Sequence, residues 1–293
     1  MSLSWRLIQQ GPASGGWNMG VDEALLATAI AGTPTLRLYS WDGPWLSLGY
    51  AQPCSDELER RCREAGVGLV RRATGGRAVL HGGDLSYSIS APEGALPPGL
   101  QGAYGKVSDV LLRAIQALGV AADRAAGEIP PERPDSPDRP DRPDPCGGPG
   151  AASPASDGRS RHPQLHEPDA SQGFDCFQAA AADEICLAGS KLAGSAQRRV
   201  GKAVLQHGSI RLRPDPPAAS RAAGLVGTGA TSLREEGHEI AEAALRQALV
   251  DAFRSVFAVS VVPDFVSPAE ESIALARVRQ HARAPDARPQ LPG

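Results

Sequence analysis

Residues 71–90 read RRATGGRAVLHGGDLSYSIS, and this stretch carries the reading of the fold. With the residues just before it, it predicts three short strands. VGLVRR (67–72) and AVLH (78–81) are rich in branched apolar side chains, which suit a pleated surface. DLSYSISA (84–91) alternates apolar residues with serine, the period of a strand. Between the first two strands lie Ala73, Thr74, Gly75, Gly76 and Arg77. Paired glycines let a backbone approach a ligand closely, and successive amides can hold a carbonyl, carboxylate or phosphate. Arg71, Arg72 and Arg77 add positive charge, and His81 places a polar ring at the end of the following strand. Taken alone, the same residues equally suit a Gly-Gly hairpin edged by surface arginines.

Upstream, Trp5 to Ile8 predicts a strand, and Asn18 offers a cap for a helix through MGVDEALLATAIA. Asp22 and Glu23 then fall near the positive end of that helix, where acids are favoured. Thr35 to Ser40 and Trp45 to Tyr50 read as strands, with Asp42-Gly43-Pro44 turning the chain between them. SDELERRCREAGV (55–67) predicts a charged surface helix ending at Gly66, and Tyr104 to Leu118 has helical periodicity.

Composition shifts after that helix. Residues 130–170 contain RPDSPDRPDRPDP and almost no branched apolar side chains. Such a segment cannot bury enough surface to offset its ordering entropy, so a disordered insertion is expected. The sequence beyond it is made of short strands that need partners from the first half. One domain is therefore expected, built from residues 1–129 and 171–265, with a helix over 238–257 and a flexible tail over 278–293. The fold class is α/β (α+β).

Thirty Lys and Arg against 33 Asp and Glu give a net charge of −3, which argues against a general nucleic-acid binder. The N-terminus has no basic stretch leading into an apolar run, and no apolar run is long enough to span a bilayer. Five cysteines without metal spacing or secretory context suit a reduced cytoplasmic chain with no metal.

The second informative stretch is CFQAAAADEICLAGSKLAGSAQRRVGKAVLQHGSIRL, residues 176–212. Lys191, followed by Leu192 and Ala193, has a partly apolar setting, and desolvation favours a neutral, proton-accepting amine. A nearby ammonium favours the thiolate of a cysteine, and Cys176 is a candidate nucleophile. Equally, Cys176 reads as a small buried hydrophobe and His207 as a packing histidine. Arg198, Arg199 and Lys202 form a short basic cluster, read first as a solvated turn and second as a surface that steers an acidic partner.

Together the two stretches resemble the biotin/lipoate protein ligase family, in particular its octanoyltransferase branch. RRATGGRAVLH is similar to one family signature, and GSKLAGSAQ followed by LQHGSI to the other. WRLI, NMGVDEALL, LRLYSW and LSLGYAQ follow in the family's order, and the likeness runs from about Trp5 to Leu212. The resemblance implies a mixed β-sheet packed against helices with an acyl pocket at its mouth. It implies that Cys176 takes an octanoyl group from acyl carrier protein as a thioester and that Lys191 is the general base. Arg72, Thr74, Gly75, Gly76, Arg77 and His81 correspond to the acyl-pocket loop, and Gly194, Ser195 and Ala196 to the segment beside the lysine. His207 belongs to the second signature. Acceptors would be lipoyl-domain proteins, such as the glycine cleavage H protein and 2-oxoacid dehydrogenase acyltransferase subunits, with no cofactor, nucleic acid or membrane partner.

This chain departs from the family in two places. Gly82-Gly83 precedes Asp84 where the family has an aspartate directly after the histidine, and QAAAADE replaces a Pro-Ser-Trp-Tyr-Glu stretch. Two alternatives remain open: an ATP-dependent lipoate–protein ligase working through an acyl-adenylate with ATP and Mg, and a non-enzymatic lipoate- or biotin-binding protein.

Overall fold

The computed structural model describes residues 4–125, 184–227 and 229–283, which belong to one compact unit. Eight strands form its main sheet: β1 (Ser4–Ala13), β2 (Thr35–Trp41), β6 (Asp84–Pro92), β7 (Asp123–Arg124), β8 (Ile185–Leu187), β9 (Ser190–Val200), β10 (Ala203–Arg211) and β11 (Ser260–Asp264). Their order is β11-β1-β2-β6-β10-β9-β8-β7. β1 runs parallel to both its neighbours and every other pairing is antiparallel, so the sheet is mixed as expected. A second sheet, which the sequence did not separate from the first, joins β3 (Trp45–Leu48) to β4 (Gly68–Arg71) and β5 (Val79–His81). The insertion expected over 130–170 lies outside the described residues.

Period two decides what each face of the main sheet meets. Trp5 and Leu7 of β1, Leu36 and Leu38 of β2, and Leu85, Tyr87 and Ile89 of β6 point into the largest core. That core is covered by α3 (Gly99–Ala117) and α5 (Glu242–Phe257), with Phe253 and Phe257 packed on the Trp5 ring. The opposite face carries Arg37, Tyr39, Trp41, Ser86, Ser88, His207 and Ser209, all buried. It is covered by α1 (Gly15–Thr28) and by the small sheet, through contacts of Met19, Tyr39, Trp41 and Val70. The serines of DLSYSIS thus face an interior, where alternation alone suggests a solvated side. This buried polar face becomes the floor of the site.

Helix α1 begins earlier than expected. Ser14, not Asn18, is the cap, its hydroxyl accepting from the Trp17 amide. Asn18 instead lies inside the helix and donates to the Ser40 carbonyl at 3.0 Å. Gly15 opens the helix because a Cβ there would stand 2.4 Å from the Trp45 ring. The early start moves Asp22 and Glu23 from the first turn to the helix centre, where both are 1% exposed.

α2 (Asp56–Glu64) is the expected charged surface helix, laced by Arg60 with Glu57 and Glu64 and by Arg63 with Glu59. α4 (Pro217–Ala223) follows the proline-rich Pro214 to Pro217 directly, because Pro217 falls in the first turn, where a missing amide costs nothing. The helix expected over 238–257 begins at Glu242.

The domain does not end at residue 265. α6 (Pro268–Arg283) continues it and takes in the part of the expected tail from 278 to 283; residues 284–293 lie outside the described residues. Alanine-rich composition hid this helix. Small residues allow it to sit tightly on α1, since a Cβ on Gly20 would be 2.8 Å from the Ala274 carbonyl. Among the described residues, no helix is long and apolar enough to cross a membrane.

Candidate active site

A narrow cleft opens between the buried polar face of the main sheet and the small sheet. Its cavity volume is about 40 Å³, a slim slot between the two sheets. Tyr39, Trp41, Ser86, His207 and Ser209 line it from the main sheet, and Ser47, Val79 and His81 from the small one. Met19, Arg72 and residues Gly194, Ser195 and Ala196 complete it. Six residues expected from the two signatures, Arg72, His81, Gly194, Ser195, Ala196 and His207, therefore meet at one cleft although more than a hundred positions separate the signatures.

The arginine pair of the first signature does not lend open charge to the loop. Arg71 and Arg72 are buried and donate to backbone carbonyls. Arg71 Nη1 reaches Gly49 O at 2.7 Å and Gln52 O at 2.6 Å. Arg72 reaches Ser47 O at 3.0 Å, Gly75 O at 2.9 Å and Arg77 O at 2.6 Å, stapling the Thr74–Arg77 turn. Arg77 itself is half-buried, while Gly75 and Gly76 are exposed. Gly76 has φ +89°, which favours glycine, and its carbonyl would lie 1.8 Å from a Cβ on Gly49. Arg198, expected in a solvated turn, donates to Ala73 O at 2.9 Å and stacks over Tyr50.

Two imidazoles stand on opposite walls in matching arrangements. His81 Nδ1 lies 2.8 Å from Asp84 Oδ2 and its Nε2 2.9 Å from Ser47 Oγ, with the Trp41 ring stacked at 3.9 Å. His207 Nδ1 lies 2.9 Å from Asp22 Oδ2 and its Nε2 2.6 Å from Thr74 Oγ1. Burial pushes both carboxyls up, but charge and hydrogen bonds outweigh it. Arg37, His207 and Ser88 hold Asp22 below the usual carboxylate range, and His81, Gly82 N and Ser86 do the same for Asp84. Asp84 thus reaches His81 from three residues along, despite the Gly82-Gly83 departure.

Ser195 is held from two sides. Its hydroxyl pairs with Tyr87 Oη, and its carbonyl accepts from Tyr104 Oη at 2.9 Å. Burial raises the Tyr87 phenol well above its ordinary range, so it stays protonated. On the next strand Gly208 leaves room for this turn of chain, because a Cβ there would be 2.2 Å from Gly194 O.

Lys191 does not line the cleft. It lies three positions before Gly194 on β9, with Leu192 and Ala193 turned into the core. The apolar setting expected for its amine is corrected here: Nζ meets Glu184 Oε1 at 2.6 Å, both side chains buried. Cys186 pairs across the hairpin from Lys191, and burial pushes its thiol up. Cys176 lies outside the described residues.

Sequence reasoning missed Glu184 as the partner of Lys191 and Asp22 as the partner of His207. Glu184 carried a signal, as the glutamate that survives from the family's altered stretch. Asp22 carried only its place in NMGVDEALL.

The lipoyl protein ligase A/B catalytic domain model matches residues 14–254. The chain is 36% identical to octanoyltransferase LipM of Kyrpidia tusciae, over 73% of this chain and 68% of that protein. It is 31% identical to octanoyltransferase LipM of Moorella thermoacetica, over 92% of each. In structure it is similar to lipoate-protein ligase A bound with ATP, with a TM-score of 0.70 and 19% identity over 94% of this chain and 95% of that one, a likeness of fold.

Proposed function

The chain belongs to the lipoyl protein ligase A/B catalytic domain family, and from that premise we propose a two-step octanoyl transfer in protein lipoylation. The Cys176 thiolate attacks the thioester carbonyl of octanoyl acyl carrier protein and expels the carrier thiolate, which takes a proton from Lys191 and leaves that amine neutral. The lysine amine of a lipoyl-domain protein, such as a glycine cleavage H protein or a 2-oxoacid dehydrogenase acyltransferase subunit, then attacks the enzyme thioester. An amide forms, Cys176 leaves as thiolate, and the amine's proton passes to Lys191, restoring the ammonium that Glu184 balances. Exchange between thioesters is nearly even and aminolysis runs downhill, so the scheme uses no cofactor. It is placed in the cytoplasm.

The observation that carries this reading is the meeting of both signatures at one cleft, with Lys191 on the strand that supplies Gly194, Ser195 and Ala196. The acyl chain would lie against Met19, Tyr39, Trp41 and Val79, with Arg72 and His81 above it. Thr74, Gly75, Gly76 and Arg77 would cover the reacting carbonyl, and His207 would face it. Cys176 stands eight positions before Glu184, so the chain tethers the thiol to the partner of Lys191.

Mass spectrometry after incubation with octanoyl carrier protein is expected to show an octanoyl adduct on Cys176. A Cys176→Ala variant should lose both the adduct and the transfer. Undiminished transfer in that variant, or transfer that requires lipoate and ATP in place of the carrier, would overturn the scheme.

A further inference from the structure

Asp22 receives hydrogen bonds from four side chains on three strands, β2, β6 and β10. Arg37 Nη1 at 2.6 Å and Ser88 Oγ at 2.7 Å share Oδ1, while Tyr39 Oη at 3.1 Å and His207 Nδ1 at 2.9 Å share Oδ2. An ionised carboxylate has no proton to give. The hydrogen between Asp22 and His207 therefore sits on Nδ1, and in the neutral form of the ring the lone pair is at Nε2. That nitrogen faces Thr74 Oγ1 at 2.6 Å, so the hydroxyl donates to the ring.

We propose that Asp22 is a positioning residue for acyl transfer: it fixes His207 as the Nδ1–H tautomer, so that the cleft wall presents Nε2 as an acceptor and Thr74 turns its oxygen lone pairs, not its hydrogen, toward the Gly75–Gly76 turn. Three separate elements, α1, β10 and the loop after β4, converge to make this relay. The same order of groups recurs on the facing wall as Asp84, His81 and Ser47, at 2.8 and 2.9 Å.

Replacing Asp22 by asparagine has a definite consequence. Arg37 cannot accept a hydrogen bond, so the amide oxygen stays with Arg37 and Ser88 and the amide NH₂ turns to His207. The ring must then accept at Nδ1 and carry its hydrogen on Nε2, which reverses the bond to Thr74. The imidazole stays in place while its polarity inverts.

Two-bond ¹H–¹⁵N correlation spectra of the full chain, with His207 assigned through His207→Gln, read the tautomer directly. The parent protein should show Nδ1–H, Asp22→Asn should show Nε2–H, and Thr74→Val should keep Nδ1–H because Asp22 sets the tautomer. The kinetic arm rests on the octanoyl-transfer reading. There, kcat of Asp22→Asn should fall on the order of 100-fold, the scale of losing a positioned proton acceptor, with KM within about twofold.

An Nε2–H ring in the parent protein or in Thr74→Val would overturn the proposal, even where Asp22→Asn fails to fold. So would an inverted tautomer with unchanged kcat. Full transfer by Cys176→Ala would instead remove the reaction scheme and leave the tautomer assignment standing.

Discussion

Glu184 and Lys191 form an ion pair of 2.6 Å between the first residue of one hairpin arm and the start of the other, with both side chains at most 5% exposed. Desolvating two charges is costly, and their attraction repays the cost only while both are present. This pair fixes the lysine three residues from the cleft.

Removing one partner should therefore cost more than removing both. Glu184→Ala is expected to lose about 3–5 kcal/mol of stability, the usual penalty for stranding a buried charge. The Glu184→Leu, Lys191→Met double variant should lose less than either single variant. Urea denaturation midpoints at unchanged slope would measure this. Equal losses in single and double variants would show that the pair is solvated in solution.

Gly49 offers a way to disturb the glycine turn without touching it. A Cβ at that position would meet Gly76 O at 1.8 Å, backbone against backbone, so neither side can yield without moving the turn. Gly49→Ala should cut kcat/KM for transfer on the order of 100-fold, the effect expected of a misplacement near 1 Å. Gly94→Ala, where a Cβ meets nothing within 4 Å and φ is not positive, is the matched control. A Gly49→Ala enzyme as active as that control would detach the turn from catalysis.

How far the sequence could be read follows from the kind of signal each residue leaves. DLSYSIS announced a strand through its period, and GG between two apolar runs announced a turn, because both signals are local. Asp22 left no such mark. An acid near a helix start reads as a partner of the helix dipole, and only the one-turn earlier cap at Ser14 and the cover of α6 place it inside the protein. Glu184 left one mark, its place in the altered stretch, but its meaning depends on a hairpin that returns Lys191 to its side. Helix α6 was missed because alanine and arginine suit an exposed tail as well as a helix that packs through Ala274. Buried polar networks are tertiary facts, and single positions do not spell them.

Acid should reveal the two relays. Both Asp22 and Asp84 have folded-state pKa values below the ordinary aspartate value. A depressed carboxyl contributes stability that is complete above its unfolded pKa, about 3.9, and is lost as pH falls through the lower folded value. The stability gap between the parent and Asp84→Asn should thus shrink as pH falls below about pH 4. Chemical denaturation at a series of pH values tests this. A gap that widens below about pH 4 would mean the carboxyl is raised and the sign is wrong.

The last helix should prove part of the domain. α6 brings Arg277 and His281 to Glu23, at 3.2 and 3.3 Å, and Glu270 to Arg6 at 2.7 Å, while Ala274 packs against Gly20. Glu23 is the neighbour of Asp22 on α1, and it is 1% exposed in the folded chain. Ending the chain after residue 266 would uncover this apolar contact and strip both basic partners from Glu23. Exposing the apolar face of α1 that Ile273 and Ala274 cover costs about 1.5–3 kcal/mol, which for a domain of this size lowers Tm by roughly 3–12 °C. Because α1 also presents Met19 to the cleft and Asp22 to His207, transfer activity should fall at temperatures where the shortened chain is still folded. A shortened chain with the parent's Tm and rate would show that α6 is an appendage and that α1 is held by the sheet alone.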